Sequence, residues 1–437
     1  MQKLLSPKIG LAGLQWMFFI LTNTVVVPLT LGQTFHLPSG QIAFTVQMSF
    51  VLTGAVCILQ ALCGHRYAIM DGPSGVWWGV TLSLAASGAI GSNDLTAVGG
   101  GLAAGFLMSG LMMVVLGWLG FVKVLAKLFN PIVISVSLFL LAAQLMMSFF
   151  TGMLGIQEDG LLDPPVAALS VGIALFVGIV YLKGRGWVGN FAMLFGIGLG
   201  WMAYVMIFPA SESVRVHAGA VSTAVLFPWG FPRFDTGILL TSFVVGFINM
   251  SNTITALTAA EKLYRQVTTE NQYRRSFLFT GLFTMISPLF GLLPFGTFAS
   301  SLGLLESMKI LNRSALAVGG VLFLTLGLIP PLGELFSKLP LSVGSAVLFV
   351  AYLQMFGTAV RSIQGRVFDS KSIYRIALPI LLGISIMNTS SLAFAGLPVY
   401  IRPLVGNGLI VGIMVSIFLE TAVNWSRLEK ESLRKRS

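Results

Sequence analysis

Polar side chains set into apolar stretches are the places where this sequence could do chemistry. Inside a membrane such residues are costly and mark ligand or ion paths. The densest set is Phe247–Thr255, FINMSNTIT, where Asn249, Ser251, Asn252, Thr253 and Thr255 interrupt an apolar run. Asn249 and Asn252 are three apart and share a helix face. A lone buried Asn joins helices; two on one face, flanked by hydroxyls, suit a cavity. An amide carries donors and an acceptor together, which matches an uncharged, planar, amide-like ligand. The second set is Pro294–Lys309, PFGTFASSLGLLESMK. Phe295, Gly296, Thr297 and Phe298 have extended character. From Ala299 on, Leu302, Leu305 and Met308 follow helical spacing. A strand running into a half-helix leaves the N–H groups of Ala299 and Ser300 free, beside the hydroxyls of Ser300 and Ser301. Those groups either cap the half-helix or bind a ligand, and both uses draw on the same orphan donors. Phe298 would pack on a bound ring. The third set is Tyr67–Val80, YAIMDGPSGVWWGV, with a matching break at Gly72, Pro73, Ser74 and Gly75. Glycine lets a ligand approach the backbone, so the Gly75 N–H is a candidate donor. Trp77 and Trp78 lie either over a planar ligand or in core or lipid.

Of the 15 acidic residues, only Asp71, Glu306 and Glu420 fall within or near apolar segments. Glu420 sits near a segment end and reads as interfacial. Glu306 is three residues before Lys309, so it is either half of a helix-end ion pair or a coupling charge. Asp71 stands immediately before the Gly72–Gly75 break and is the only acid at an expected site. It is the first candidate to hold a coupling proton, with sodium the alternative ion. The sequence has no nucleophile elbow, no HExxH and no P-loop. That argues against an enzyme and against an ATP-driven pump. Cys57 and Cys63 lie on one apolar helix without metal spacing. His36, His65 and His217 fall in or beside expected loops, with no buried His site. No metal or cofactor is expected.

These residues need membrane-spanning helices to position them. The chain is 56% hydrophobic and 9% charged, with a mean hydropathy of +0.89, against about 25% charged in soluble domains. We read about 14 spanning segments, at 10–32, 41–64, 67–88, 95–118, 130–150, 165–183, 187–208, 236–259, 274–294, 294–310, 312–332, 340–360, 372–390 and 400–424. The third and tenth are broken. Matching breaks in two halves indicate an inverted repeat with its site at the breaks. With the N-terminus inside the cell, only Arg215, Arg233, Lys338 and Arg402 of the 26 basic residues fall outside, a strong positive-inside bias. The acidic Glu158, Asp159 and Asp163 fall outside. The net charge of +11 is therefore topological and does not indicate a nucleic-acid partner. Ile9–Leu31 is too long for a cleaved leader. Phe121–Asn130 reads as an amphipathic connector or a snorkelling helix end. The basic tail 426–437 is solvated or touches anionic lipid.

The same residues carry a resemblance. Leu14–Trp16 (LQW, where a Gln-His pair is common), Val25–Pro28, Leu128–Val133 (LFNPIV) and the run from VTTENQYRR to ISPLFGLLPFGTF are similar to the nucleobase–ascorbate transporter family. That family includes bacterial uracil and xanthine permeases. The resemblance spans nearly the whole chain. It implies an all-α fold of two inverted repeats, with core parts at 1–118 and 235–335 and gate parts at 119–210 and 336–425. Substrate would bind between the third and tenth segments, with the eighth contributing, and a dimer would form through the gate domain. Two departures stand out. The family's tenth segment carries an acid or amide followed by Asn, where this chain has Ser300 and Ser301; Gly303 and Lys309 match. Its eighth segment carries a Glu where this chain has Asn252. The resemblance implies a nucleobase permease of the cell membrane, proton- or cation-coupled. Asn252 and Ser300 would hold the base, and Ser74, Gly75, Asn249, Phe298, Ala299 and Ser301 would complete the site. Two rivals share the sequence features: a carrier of another small organic solute or anion, and a non-transporting membrane sensor.

Overall fold

The computed structural model describes residues 7–423 and 425, apart from 92–93, 157–160, 185–186, 210–223 and 366–369. Glu158, Asp159, Arg215, His217 and the basic tail lie outside the described residues. The first half holds α1 (Pro7–Thr24), α2 (Val26–Thr34), α3 (Ser39–Leu62), β1 (Asp71–Pro73), α4 (Gly75–Gly91), α5 (Leu95–Trp118), α6 (Val122–Leu128), α7 (Pro131–Met153), α8 (Pro164–Lys183), α9 (Trp187–Asn190) and α10 (Ala192–Ile207). The second half holds α11 (Thr236–Tyr264), α12 (Glu270–Ile286), β2 (Phe295–Thr297), α13 (Ser301–Met308), α14 (Arg313–Gly327), α15 (Pro330–Ser337), α16 (Leu341–Ser362), α17 (Ser370–Met387), α18 (Arg402–Val405) and α19 (Gly408–Ala422). Among the described residues, seven helices are long and apolar enough to cross a membrane, and four shorter ones are apolar.

Helix starts follow local chemistry. Asn130, Asp163, Asp235 and Asn407 cap α7, α8, α11 and α19 through side-chain oxygens, supplying acceptors for the first-turn N–H groups. Pro131 and Pro164 occupy first positions, where no N–H is needed. Thr269 and Gln272 close a reciprocal capping box on α12. One element departs from the sequence reading. The segment expected over 312–332 ends at α14, and α15 turns away from it by 86°. Pro330 and Pro331 cause the turn: Ile329 takes φ −100°, ψ 99°, because a following proline excludes the helical region.

The helices pack in two groups. In one, α3 and α1 lie against α14, and α5 lies against α11 and α12; in the other, α16 lies against α7 and α8, and α19 against α7 and α17. Glycines set the closest crossings. A Cβ on Gly54 would come within 2.6 Å of the Gly320 carbonyl oxygen, and one on Gly281 within 2.8 Å of that of Gly110. These contacts let α3 meet α14, and α5 meet α12, backbone to backbone, as helices do in lipid.

The second group is closed by a buried ion pair. Glu420, read from sequence as interfacial, is enclosed instead. Arg375 Nε and Nη2 donate to its two oxygens at 2.8 Å each, and Asn130 Nδ2 adds a third bond at 2.8 Å. The Arg and Glu side chains are 8% and 5% exposed, and Trp425 covers the guanidinium at 4.9 Å. Removing one partner strands a buried charge, at about 3–5 kcal/mol. Arg375→Met should therefore lower the thermal transition in detergent sharply, and adding Glu420→Met should restore most of the loss.

Candidate functional site

The two breaks meet. β1 and β2 pair antiparallel, with Asp71 opposite Thr297, Gly72 opposite Gly296 and Pro73 opposite Phe295. The Ser74 N–H donates to the Pro294 carbonyl at 2.9 Å and the Phe298 N–H to that of Met70 at 2.8 Å. Non-helical backbone at membrane depth must be satisfied within the protein, and this ladder does that. It also brings the N-terminal ends of α4 and α13 to one place. The first turn of α13 closes on itself, with Ser301, Leu302 and Gly303 donating to Phe298, Ala299 and Ser300. The N–H groups of Ala299 and Ser300 stay free of any partner among the described residues.

Asn249 holds this junction together. Its Oδ1 accepts from Ser74 Oγ at 2.6 Å and from Asn252 Nδ2 at 3.1 Å, and its Nδ2 donates to the Phe295 carbonyl at 2.8 Å. One amide thus ties α4, β2 and Asn252 to α11. Thr253 and Thr297 hydroxyls lie 2.9 Å apart, and Ser301 Oγ accepts from the Met70 N–H at 3.0 Å. Asn249 and Ser301 are buried with these bonds made and do not face a cavity. They position residues that do.

A cavity of about 300 Å³ lies beside the junction. Ser74, Gly75, Asn252, Phe298, Ala299 and Ser300 line it, as do Ser251, Thr255, Thr297 and Gly303. Sequence reading missed the far wall: Gln15, Asn23, Gln354, Thr358, Tyr352 and Arg361. The signal was present, since Gln15, Asn23 and Gln354 are amides in apolar segments, as Asn252 is. Three of the four amides come from α1 and α11, and no carboxylate lines the cavity. Such a wall carries both donor and acceptor groups. Trp77 and Trp78 do not line it; their rings pack on Phe106 and Phe149 at 4.9 and 5.1 Å.

A wider cavity, about 1060 Å³, opens at the other end of the same helices, where α15 ends and α16 begins. Gly79 and Gln144, which line neither cavity, meet between them. Gln144 Nε2 donates to the Gly79 carbonyl at 2.7 Å, and Phe149 packs between Trp78 and Tyr352.

Asp71 lies behind the ladder, fully buried and outside both cavity walls. Its Oδ2 accepts from Thr280 Oγ1 at 2.6 Å and Gln60 Nε2 at 2.8 Å. Its Oδ1 has no partner, and no basic side chain pairs with it among the described residues. Glu306 is exposed on α13 and pairs with no cation among the described residues. His65 corrects a sequence expectation. It is enclosed rather than in an open loop, because Gln60 accepts its N–H and Gln272 donates to its carbonyl. Burial pushes its imidazole down to about 3, so it is neutral at physiological pH.

Comparison with known proteins follows the same line. The family model Xan_ur_permease, described as a permease family, matches residues 7–392. The putative purine permease YwdJ of Bacillus subtilis (strain 168) is 28% identical over 98% of both chains. The uric acid permease PucJ of the same strain is 27% identical over 95% of this chain and 92% of its own. The uric acid transporter UacT of Escherichia coli (strain K12) is 24% identical over 97% and 87%. Among solved structures, the transmembrane domain of the cyanobacterial bicarbonate transporter BicA superposes with a TM-score of 0.60 at 14% identity, covering 94% of this chain and 97% of that one. An inward-facing structure of the murine anion transporter Slc26a9 gives 0.61 at 12%, covering 94% and 68%. At that identity the likeness is one of fold.

Proposed function

The chain belongs to this permease family of membrane transporters, and on that premise we propose that its cargo is a purine base, an oxopurine of the uric acid and xanthine kind. The observation that carries this reading is the cavity itself. It has amides from Gln15, Asn23, Asn252 and Gln354, hydroxyls from Ser74 and Ser300, a ring at Phe298, and no acid. The lactam edges of an oxopurine alternate N–H and C=O, the complement of such a wall. The relatives named above as purine and uric acid permeases support the same class. The free N–H groups of Ala299 and Ser300, at a helix N-terminus, suit a carbonyl oxygen.

In this reading α1–α5 and α11–α15 form the moving core, and α7–α10 and α16–α19 the gate. The termini are cytoplasmic, which follows from the basic loops. The narrow cavity then opens inward past Arg361, and the wide one is the outer vestibule. Alternating access is core motion past the gate, with the Gln144–Gly79 bond broken and remade. Asp71 holds the coupling proton. Arg361 is the observation that favours a second reading, a carrier of organic anions.

The test is uptake of radiolabelled uric acid into proteoliposomes, competed by xanthine, uracil, guanine and benzoate. Competition by xanthine and not by benzoate is the expected result; the reverse would establish the anion reading. Asn252→Ala should weaken apparent affinity by roughly tenfold, the worth of one hydrogen bond, with the thermal transition unchanged.

A further inference from the structure

Three hydroxyls on α3 form a row without partners among the described residues, where Thr24, Thr81, Ser242, Ser276 and Ser416 are single unpartnered hydroxyls on other helices. In the helices of this protein, Ser and Thr side chains commonly donate to the carbonyl one turn back. Thr30, Thr34, Ser137, Thr241 and Thr325 do so at 2.7–2.9 Å. Thr45, Ser49 and Thr53 do not. Each is 0–1% exposed, and none has a hydrogen-bond partner. They are four apart on one face of α3. Gln60, two turns beyond Thr53, falls on that same face and donates to Asp71 Oδ2. Asp71 Oδ1 is likewise without a partner.

The ends of this row are anchored. Ile42 and Ala43, within a turn of Thr45, line the wide cavity. A Cβ built on Gly72, the residue after Asp71, would lie 3.7 Å from Thr53 Cγ2. So the row lies between the helix turn that lines the wide cavity and the backbone of β1, where the Thr53 methyl carbon is the row's nearest placed atom. No residue of α3 lines the narrow cavity. Successive hydroxyls are about 6 Å apart along the axis, the span of one water donating and accepting at about 2.8 Å. Buried polar groups without protein partners are the ordinary seats of such waters.

We propose that Thr45, Ser49 and Thr53 form a water-bridged proton relay from the wide cavity to Asp71, separate from the path of the base. This rests on the reading of Asp71 as the coupling carboxylate. Each oxygen accepts a proton from its outer neighbour and passes its own inward. The net change is one O–H bond formed on Asp71 and one proton removed from the vestibule. Both α3 and β1 belong to the same helix group, so the relay travels with the site. The groups facing Asp71 are Cys57 and Gln60 from α3, Thr280 from α12 and Thr297 from β2. Cys57 is the one titratable group among them.

The experiment compares two assays in proteoliposomes: uptake of uric acid driven by a pH gradient, with an internal pH dye, and counterflow exchange at equal pH. Ser49→Ala and Thr53→Val should lower gradient-driven uptake and dye response by at least about tenfold, the loss of one hydrogen-bonded step. Counterflow and the thermal transition should stay at wild-type levels, and Thr53→Ser should recover the rate. The relay is overturned if Ser49→Ala keeps full gradient-driven uptake, if both variants lower counterflow equally, or if uptake follows sodium in place of protons. Should Thr53→Val fail to fold, Ser49→Ala, which removes a single oxygen, decides. Asp71→Asn separates the premises. If it keeps proton-driven uptake, the coupling reading fails; if it alone loses it, only the relay fails.

Discussion

Asp71→Asn should turn a concentrative carrier into an exchanger. Uptake against a gradient, driven by external acid, is expected to fall to the background of protein-free liposomes, while counterflow persists. The geometry makes this a clean substitution. Asn is nearly isosteric, and its carbonyl oxygen can accept the bonds from Gln60 and Thr280 that Oδ2 now holds. The new NH2 replaces Oδ1, which accepts no hydrogen bond among the described residues, so no existing bond is lost. What disappears is the charge. Among the described residues no cation pairs with Asp71, so in the proposed mechanism a proton neutralises it. Retention of pH-driven accumulation in the Asn variant would end the proposal and leave an uncoupled facilitator.

Asn249→Leu should damage both folding and binding although it touches no cargo. It strands the Ser74 hydroxyl and the Phe295 carbonyl, both buried, at about 1–3 kcal/mol each. The thermal transition should drop accordingly. Stabilisation by added uric acid should vanish as well, since ligand-induced stabilisation requires an intact site. Asn252→Ala, three residues away, should reduce the ligand shift too but leave the transition unchanged. An Asn249→Leu protein that melts and binds like the wild type would refute the positioning role.

The contrast between these two residues shows what the sequence can carry. Spacing placed Asn249 and Asn252 on one helix face, and they share it. It could not say that the first turns toward β2 and the second toward open space, because that choice depends on the partner strand and not on periodicity. The breaks at Gly72–Gly75 and Gly296–Ala299 were legible because glycine, proline and extended residues interrupt helical spacing. Their pairing into a ladder was not, because strand register is a long-range property. The α14–α15 turn was missed by a segment drawn through 312–332, although Pro330-Pro331 signals it. Glu420 and His65 were misjudged for one shared reason. Glu420 is enclosed by Arg375 and His65 by Gln272, each distant in sequence from the residue it covers.

The ladder between β1 and β2 has a mechanical consequence. Each strand belongs to a different repeat, and the two are bonded to each other. In the proposed mechanism the core half of the cargo surface therefore keeps its shape on the return journey, and only the gate wall, which includes α16, changes. The driving ion then sits behind the ladder and the cargo in front of it.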